Sequence, residues 1–359
     1  MRFFQEIYNL HNIDRADLNK CLILMHVHII PSMVFLIKEL LSIGIEKEQI
    51  IVIGKPYSTI QSSLKELKEI GIEASSLDFC TNFLEYDEHV SASILKILRD
   101  LEPVFEKYKK MILCDSGGNL KKSFSQLPIE NDVCSIELTT QGTFFKPYLF
   151  PTIEMALCHV KKNIESKIIA QSIMKSLSIY DWFTDIKKIG VLGYGSIGKS
   201  IAEIVSNSHG IHVYDPKIEN VPKEFQSTYE TIMDQCELII GCTGQDAFKS
   251  DTKLASKKNQ YFVSASSKNI EFLSLLKIQK LDPSKNIHIL NNGFPINFNR
   301  ENEVENFEDI LLTRGLLFAG ILQAINSNET RNVAISLDQM IEKKILEFWR
   351  MQKEKLIEI

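Results

Sequence analysis

Ile189-Gly190-Val191-Leu192-Gly193-Tyr194-Gly195-Ser196-Ile197-Gly198 is the stretch that decides the fold. A short apolar run stops at Gly193-x-Gly195-x-x-Gly198, and helically spaced apolar residues follow from Lys199 to Val205. A second apolar run, Ile211-His212-Val213-Tyr214, ends at Asp215. Strand, tight turn, helix, strand and acid in that order form the pattern of a dinucleotide-binding βαβ unit. Each glycine has a steric reason to be there. Gly193 makes the tight turn, Gly195 lets main chain approach a pyrophosphate, and Gly198 lets helix pack closely on strand. Ser196 and Ile197 open the helix, whose unpaired N–H groups and positive dipole end would face the phosphates. Asp215 is placed to accept hydrogen bonds from ribose hydroxyls. No arginine follows it closely to hold a 2′-phosphate, so NAD rather than NADP is the expected cofactor. Cys242-Thr243-Gly244, after the run Leu238-Ile239-Ile240, puts small residues where a dinucleotide would cross the sheet. Taken alone, that turn also reads as an ordinary strand end.

Size and composition fit a globular protein of two domains: 359 residues, 44% hydrophobic and 24% charged. A net charge of −5 gives no reason to expect nucleic acid or an anionic membrane as partner. No apolar run is long enough to span a bilayer, and Met1 to Glu6 lack the apolar core of a signal peptide. Seven cysteines without a C-x-x-C pair read as reduced thiols, so a cytoplasmic location is expected. No Cys/His cluster has zinc spacing. His26 and His28 stand two apart near a strand end, but two ligands make no metal site, and no metal is expected.

The first half alternates strands and helices. Cys21 to Val27, Ile50 to Ile53 and Met111 to Cys114 are short apolar runs, while Pro31 to Ser42 and Gln61 to Glu69 have helical period. Such alternation predicts a parallel, doubly wound sheet. The fold class expected is α/β with two doubly wound domains, the second a Rossmann NAD-binding domain, followed by C-terminal helices. The boundaries expected are 1–180 for a substrate or catalytic domain and 185–298 for the nucleotide domain. Residues 299–359 are expected as helices packing on the first domain or on a partner. Within them, Phe307 to Asn326 and Ser336 to Ile359 read as amphipathic, and Thr152 to Ser178 as a mostly helical spacer.

The order of motifs resembles the S-adenosylhomocysteine hydrolase (adenosylhomocysteinase) family along most of the chain. His28 with the helix Phe35 to Leu40 and Tyr57-Ser58-Thr59 is similar to that family's His-bearing strand end, helix and Phe-Ser-Thr. Asp115-Ser116-Gly117-Gly118-Asn119-Leu120 is similar to its Asp-Asp-Gly-Gly-Asp-Leu. Glu137-Leu138-Thr139-Thr140-Gln141-Gly142 is similar to Glu-Glu-Thr-Thr-Thr-Gly, whose threonines contact the nicotinamide end of NAD. Gly193 to Lys199 matches Gly-Tyr-Gly-Asp-Val-Gly-Lys at all but two positions, and Asn292 to Asn297 is similar to Glu-Gly-Arg-Leu-Val-Asn. The resemblance implies a bound, recycled NAD that oxidises a ribose hydroxyl. It places Thr139, Thr140 and Asn297 at the cofactor, Lys161 at the catalytic lysine and Glu165 at a catalytic aspartate.

Departures fall on the substrate side. Ser116 replaces an Asp, Leu138 a Glu, Ser166 an Asn, and Ser267 a catalytic His; Phe298-Asn299-Arg300-Glu301 stands for Gly-His-Pro-Ser, and the family's C-terminal Lys/Tyr tail has no counterpart. Since leucine can neither accept a proton nor bind a ribose hydroxyl, true adenosylhomocysteine hydrolysis is not expected. The expected enzyme is a divergent NAD-dependent oxidoreductase acting on a nucleoside- or sugar-like hydroxyl of a small molecule, as a homo-oligomer. Its candidate catalytic residues are Lys161, Glu165, His28 and Asp115. Blander readings stand beside them: a surface i, i+4 ion pair for Lys161 and Glu165, a satisfied core histidine for His28, a turn cap for Asp115. Two alternatives remain, a 2-hydroxyacid-type dehydrogenase and a non-catalytic NAD-binding regulator.

Overall fold

The computed structural model describes residues 2–78, 85–144, 146–249, 252, 259–281 and 287–357. They divide into two compact units: Met1–Thr81, Glu85–Lys161 and Arg300–Ile359 in the first, Lys162–Asn299 in the second.

The first unit carries the strands β1 (Cys21–Val27), β2 (Ile50–Gly54), β3 (Glu73–Ser76), β4 (Lys110–Asp115), β5 (Asp132–Glu137) and β6 (Thr152–Ile153). Its helices are α1 (Arg2–Asn9), α2 (Arg15–Leu18), α3 (Pro31–Ser42), α4 (Gln61–Glu69), α5 (Tyr86–Phe105), α6 (Asn119–Phe124) and α7 (Thr140–Thr143). The second unit holds β7 (Lys188–Leu192), β8 (Gly210–Tyr214), β9 (Leu238–Gly241), β10 (Gln260–Ser264) and β11 (Ile287–Ile289), with α8 (Ser166–Leu177), α9 (Ser196–Val205), α10 (Tyr229–Gln235) and α11 (Leu273–Leu281). The chain then returns to the first unit through α12 (Phe307–Asn326), β12 (Ala334–Ile335) and α13 (Gln339–Ile357).

Both sheets are parallel throughout. The first runs β12-β6-β5-β4-β1-β2-β3, so strand order reverses between β1 and β4. The second runs β11-β10-β9-β7-β8 and reverses between β7 and β9. In open α/β sheets ligands bind outside the carboxyl ends of the strands at such reversals. Every residue of β1 and β2 is buried. Helices on both faces leave such strands no polar side, which is why they appear in the sequence as unbroken apolar runs. In the second unit one cluster joins Ile173 and Leu177 of α8 to Ile201 and Val205 of α9 over Val191 and Ile240. A separate cluster joins Ile232 and Met233 of α10 to Phe262, Phe272 and Leu275.

Two expectations are corrected here and a third is refined. Helix α8 packs in the second unit's core and belongs there, so the chain leaves the first unit at Lys161 rather than at 180, before returning to it at Arg300. The stretch from Thr152 to Ser178 is mostly helical as expected but does not begin so: it opens as β6, passes through a 3-10 turn at Met155–Leu157 and a π-helical turn at Lys161–Glu165, and continues as α8. Helix α12 is not amphipathic. Every residue from Ile310 to Leu322 is buried, because the helix touches β4 and β5 as well as α1, α3 and α13.

Candidate functional site

In the second unit β7 ends at Leu192, and Gly193 turns the chain with φ +94°, a value that disfavours any side chain. A Cβ on Gly193 would lie 2.9 Å from the main chain of Cys242. Gly198 is tighter still: a Cβ there would stand 2.0 Å from the Gly193 carbonyl oxygen and 3.3 Å from Cys242 Cβ. The first turn of α9, opened by Ser196 and Ile197, therefore rests directly on the glycine turn and on the end of β9. Gly195, the residue before Ser196, differs. Nothing lies within 4 Å of the place its Cβ would take. A glycine kept where no protein atom needs the space is what a main-chain cradle for a diphosphate requires.

Asp215 closes β8. Its Oδ2 accepts from the Tyr194 amide at 2.7 Å and its Oδ1 from the Lys217 amide at 2.8 Å. The carboxylate thus ties the tip of the glycine turn to the second strand, and its remaining lone pairs are the ones a ribose diol could use. Across the reversal, Cys242, Thr243 and Gly244 turn away from β9, with Gly244 at φ +70°. Behind them lies a residue that sequence reasoning missed. Glu271 is fully buried, and its carboxylate accepts from the Thr243 hydroxyl at 2.8 Å, the Gly244 amide at 2.5 Å and the Ser266 hydroxyl. Burial pushes its pKa up to about 7, against those hydrogen bonds. In the sequence it is one acid in a polar loop; Thr243, Gly244 and Gly241, far away along the chain, close over it in the fold. Asn297 is buried beyond Ile296, whose amide reaches the Ser264 carbonyl at the end of β10.

The first unit has its own polar cluster at the carboxyl ends of β1, β4 and β5. The register sets His26 beside Asp115 and Asp115 beside Glu137, so the three occupy one row across adjacent strands. His26 Nδ1 is 3.6 Å from Asp115 Oδ1, and Lys121 Nζ is 2.8 Å from Glu137 Oε2. Asp115 Oδ2 also accepts from the Lys121 amide at 2.8 Å, which ties the first turn of α6 to the cluster. Burial raises the Asp115 pKa, but His26 and Lys121 more than offset it and hold the group below its ordinary value. Glu137 is raised by burial and by Asp115. His28, beyond β1, has Nδ1 2.6 Å from Ser58 Oγ; burial, then the charges of Lys55 and Arg314, hold it well below its usual range. It is a neutral imidazole near neutrality, and Lys161 is near enough to push it the same way.

Lys55 is a second residue the sequence did not disclose. It directly follows β2 and is almost fully buried, donating to the Tyr57 hydroxyl at 3.4 Å. Burial lowers its pKa to about 8, with Asp115 and Glu137 opposing. Thr139 caps α7, and both its amide and its hydroxyl donate to Glu137 Oε1. Thr140 begins α7 and is exposed. Lys161 and Glu165 share the π-helical turn before α8. The structure thus gathers Gly193, Gly195, Ser196, Ile197, Gly198, Asp215, Cys242, Thr243 and Gly244 around the second unit's reversal. His28 and Asp115 lie at the first unit's reversal, where Thr139 supports the neighbouring Glu137. Among the described residues no group of three or more His, Cys, Asp or Glu could hold a metal ion, and no helix is long and apolar enough to cross a membrane.

No family model matches the chain. It is similar to two uncharacterized proteins of Mycobacterium tuberculosis, MT0113 of strain CDC 1551 and Rv0104 of strain H37Rv. Each is 25% identical over 338 residues, an alignment covering 86% of this chain and 65% of theirs. The chain therefore spans just under two thirds of the length of those relatives. Among solved structures it is similar to NAD+-bound 3-phosphoglycerate dehydrogenase of Entamoeba histolytica, at 12% identity and TM-score 0.39, covering 88% of this chain and all of that one. It is also similar to NAD-dependent formate dehydrogenase of Staphylococcus aureus in complex with NAD. There the identity is 12% and the TM-score 0.37, with 74% of this chain and 88% of that one covered.

Proposed function

We propose that this chain is an NAD-dependent oxidoreductase that binds its cofactor on the second unit and acts on a hydroxyl group of a small molecule. The observation that carries the reading is the open space over Gly195, at the head of a ten-residue helix and between Gly193 and Asp215. When bound, NAD supplies the acceptor for the hydride of the substrate carbon. The chain's residues supply the rest. Gly193, Gly195, Ser196, Ile197 and Gly198 present main-chain amides to the diphosphate, Asp215 accepts from the adenosine ribose, and Cys242, Thr243, Gly244 and Asn297 border the crossing. Thr139 and Thr140 are assigned to the nicotinamide end by the adenosylhomocysteinase resemblance.

On the substrate side, oxidation of an alcohol to a ketone removes one hydride and one proton. Lys161 lowers the pKa of the hydroxyl by charge, and neutral His28 or ionised Asp115 accepts a proton or holds a neighbouring hydroxyl. Glu165 is assigned beside Lys161. The substrate class proposed is nucleoside- or sugar-like, from the same resemblance; hydrolysis of adenosylhomocysteine is not part of the proposal, because Leu138 and Ser267 lack the required groups. The second reading, a 2-hydroxyacid-type dehydrogenase, needs an arginine and a Glu–His pair near the cofactor. Arg314 is engaged by Ser32 and Glu303, and His288 is an exposed ring stacked on Tyr261. Neither observation favours it.

The test is to denature purified protein, assay released NAD, and screen nucleosides and sugars for reduction of the cofactor by absorbance. Lys161→Ala is expected to abolish reduction while leaving NAD bound; unchanged turnover would take Lys161 out of the site. NAD that binds but is never reduced, whatever the substrate, would make the chain a regulator.

A further inference from the structure

The buried carboxylate of Glu271 holds a turn. Its three acceptor contacts go to Thr243, Gly244 and Ser266, so one side chain joins the end of β9 to the end of β10. The fit leaves no slack. A Cβ at Gly241 would lie 2.7 Å from Glu271 Oε2, so glycine alone leaves the carboxylate room at the last residue of β9. Main chain adds a further tie, from the Ala247 amide to the Glu271 carbonyl at 2.8 Å. The held turn is in turn the wall against which the glycine-rich loop packs, since both Gly193 and Gly198 meet Cys242.

We propose that Glu271 is a positioning residue for the dinucleotide: its ionised carboxylate fixes the Cys242-Thr243-Gly244 turn in the form that accepts the cofactor, and protonation releases it. The proposal rests on the reading of the second unit as the NAD site. An ionised carboxylate accepts from all three donors, whereas a protonated one has turned one oxygen into a donor and must reverse one of these bonds, which the Thr243 hydroxyl allows because it also lies 2.9 Å from the Gln245 carbonyl oxygen. The reversal hands the Thr243 proton from Glu271 to the Gln245 carbonyl, so the carboxyl group no longer receives one of the three donations that fix the turn. Because burial lifts this acid to about 7, the change falls near neutrality rather than in acid. Among the described residues, the following titratable and charged groups stand on the elements around it. The Cys242 thiol on the β9 turn is held high by burial and by Glu271 itself. Lys268 sits on the loop leading to Glu271, and Asp246 is engaged by the amide and hydroxyl of Ser274 at the start of α11.

The experiment is a calorimetric titration of the full chain with NAD at a series of pH values across neutrality, for the wild type, Glu271→Gln and Glu271→Asp. In the wild type the Kd should rise as pH falls through the Glu271 range, by up to about tenfold per pH unit, the limit for one linked proton. Glu271→Gln should bind more weakly at high pH and show a flat profile; Glu271→Asp, with a shorter reach, should regain the slope at reduced affinity. A glutamine that only destabilised the fold would lower Tm without flattening the profile of the folded fraction. A wild-type Kd that does not change with pH overturns the inference without needing any variant. So does a Glu271→Gln protein that keeps the wild-type slope, or an affinity that rises on acidification. No NAD binding by the wild type at any pH would instead overturn the cofactor reading on which the inference rests.

Discussion

At the scale of single residues, the three glycines of the β7–α9 turn are constrained by different things and should fail differently. Gly195 faces open space, so Gly195→Val should leave secondary structure and Tm near wild type. NAD affinity should fall by more than about a hundredfold, as amide contacts to the diphosphate worth about 1.5–3 kcal/mol each are pushed out of reach. Calorimetric titration beside a circular dichroism spectrum checks both halves. Gly198 faces protein, and Gly198→Ala should cost stability, about 1–3 kcal/mol for an overpacked methyl, visible as a lower denaturant midpoint. This contrast explains what could be read in advance. The fingerprint is legible because its spacing is local, three glycines within six residues, even though part of its steric wall, Cys242, comes from far along the chain. Glu271 and Lys55 are not: each looks like a solvated charge, and each is buried by strand ends that come together only in the fold. His28 shows the intermediate case, a strand-end position visible in the sequence whose neutral state comes from burial first and then from the charges of Lys55 and Arg314.

At the scale of elements, the buried parallel strands announced themselves because burial on both faces leaves them mostly apolar until their carboxyl ends, where His26, Asp115 and Glu137 stand. Strand β3 did not. Its Glu73-Ala74-Ser75-Ser76 has no apolar run, and it is a strand only because it completes the register of β2 at the sheet edge. Helix α12 misled for the opposite reason: its sequence shows helical period, but neighbours on every side bury it regardless of face. Gly315 marks one such contact, where an added Cβ would meet the Phe3 ring at 2.7 Å and Ile7 at 3.1 Å. Gly315→Val should therefore lift α1 from α12 and destabilise the first unit by about 1–3 kcal/mol. Loss of hydrogen-exchange protection should concentrate in Arg2–Asn9 and Phe307–Asn326; protection lost evenly over the chain would mean that α1 is not held chiefly by this contact.

At the scale of the whole molecule, each unit has its own sheet and core, so calorimetry of the chain without cofactor should show two transitions, and their pH dependences should oppose each other. In the first unit, burial lowers His11 from 6.5 to about 4 and Lys55 from 10.5 to about 8. Between the lowered and the ordinary values the unfolded chain binds a proton that the folded unit refuses. Stability therefore rises with pH across both windows and is lost as pH falls through them. In the second unit the sign reverses: Glu271, raised from 4.5 to about 7, binds its proton more readily when folded, so stability falls as pH rises through that window. His212, lowered by its partial burial, works against Glu271, but it is far less enclosed and has the smaller effect. Acidifying from neutrality towards the ordinary carboxylate range should then lower the first unit's transition, where the lowered His11 and His28 oppose the raised Glu137, and hold or raise the second's. Saturating NAD identifies which is which, because about a hundredfold excess over Kd adds about 2.7 kcal/mol to the unit that binds it. If both transitions fell in parallel on acidification, Glu271 would not be the buried acid described here. If NAD raised the transition that weakens in acid, the cofactor would sit on the first unit and the assignment of the glycine-rich turn would be wrong.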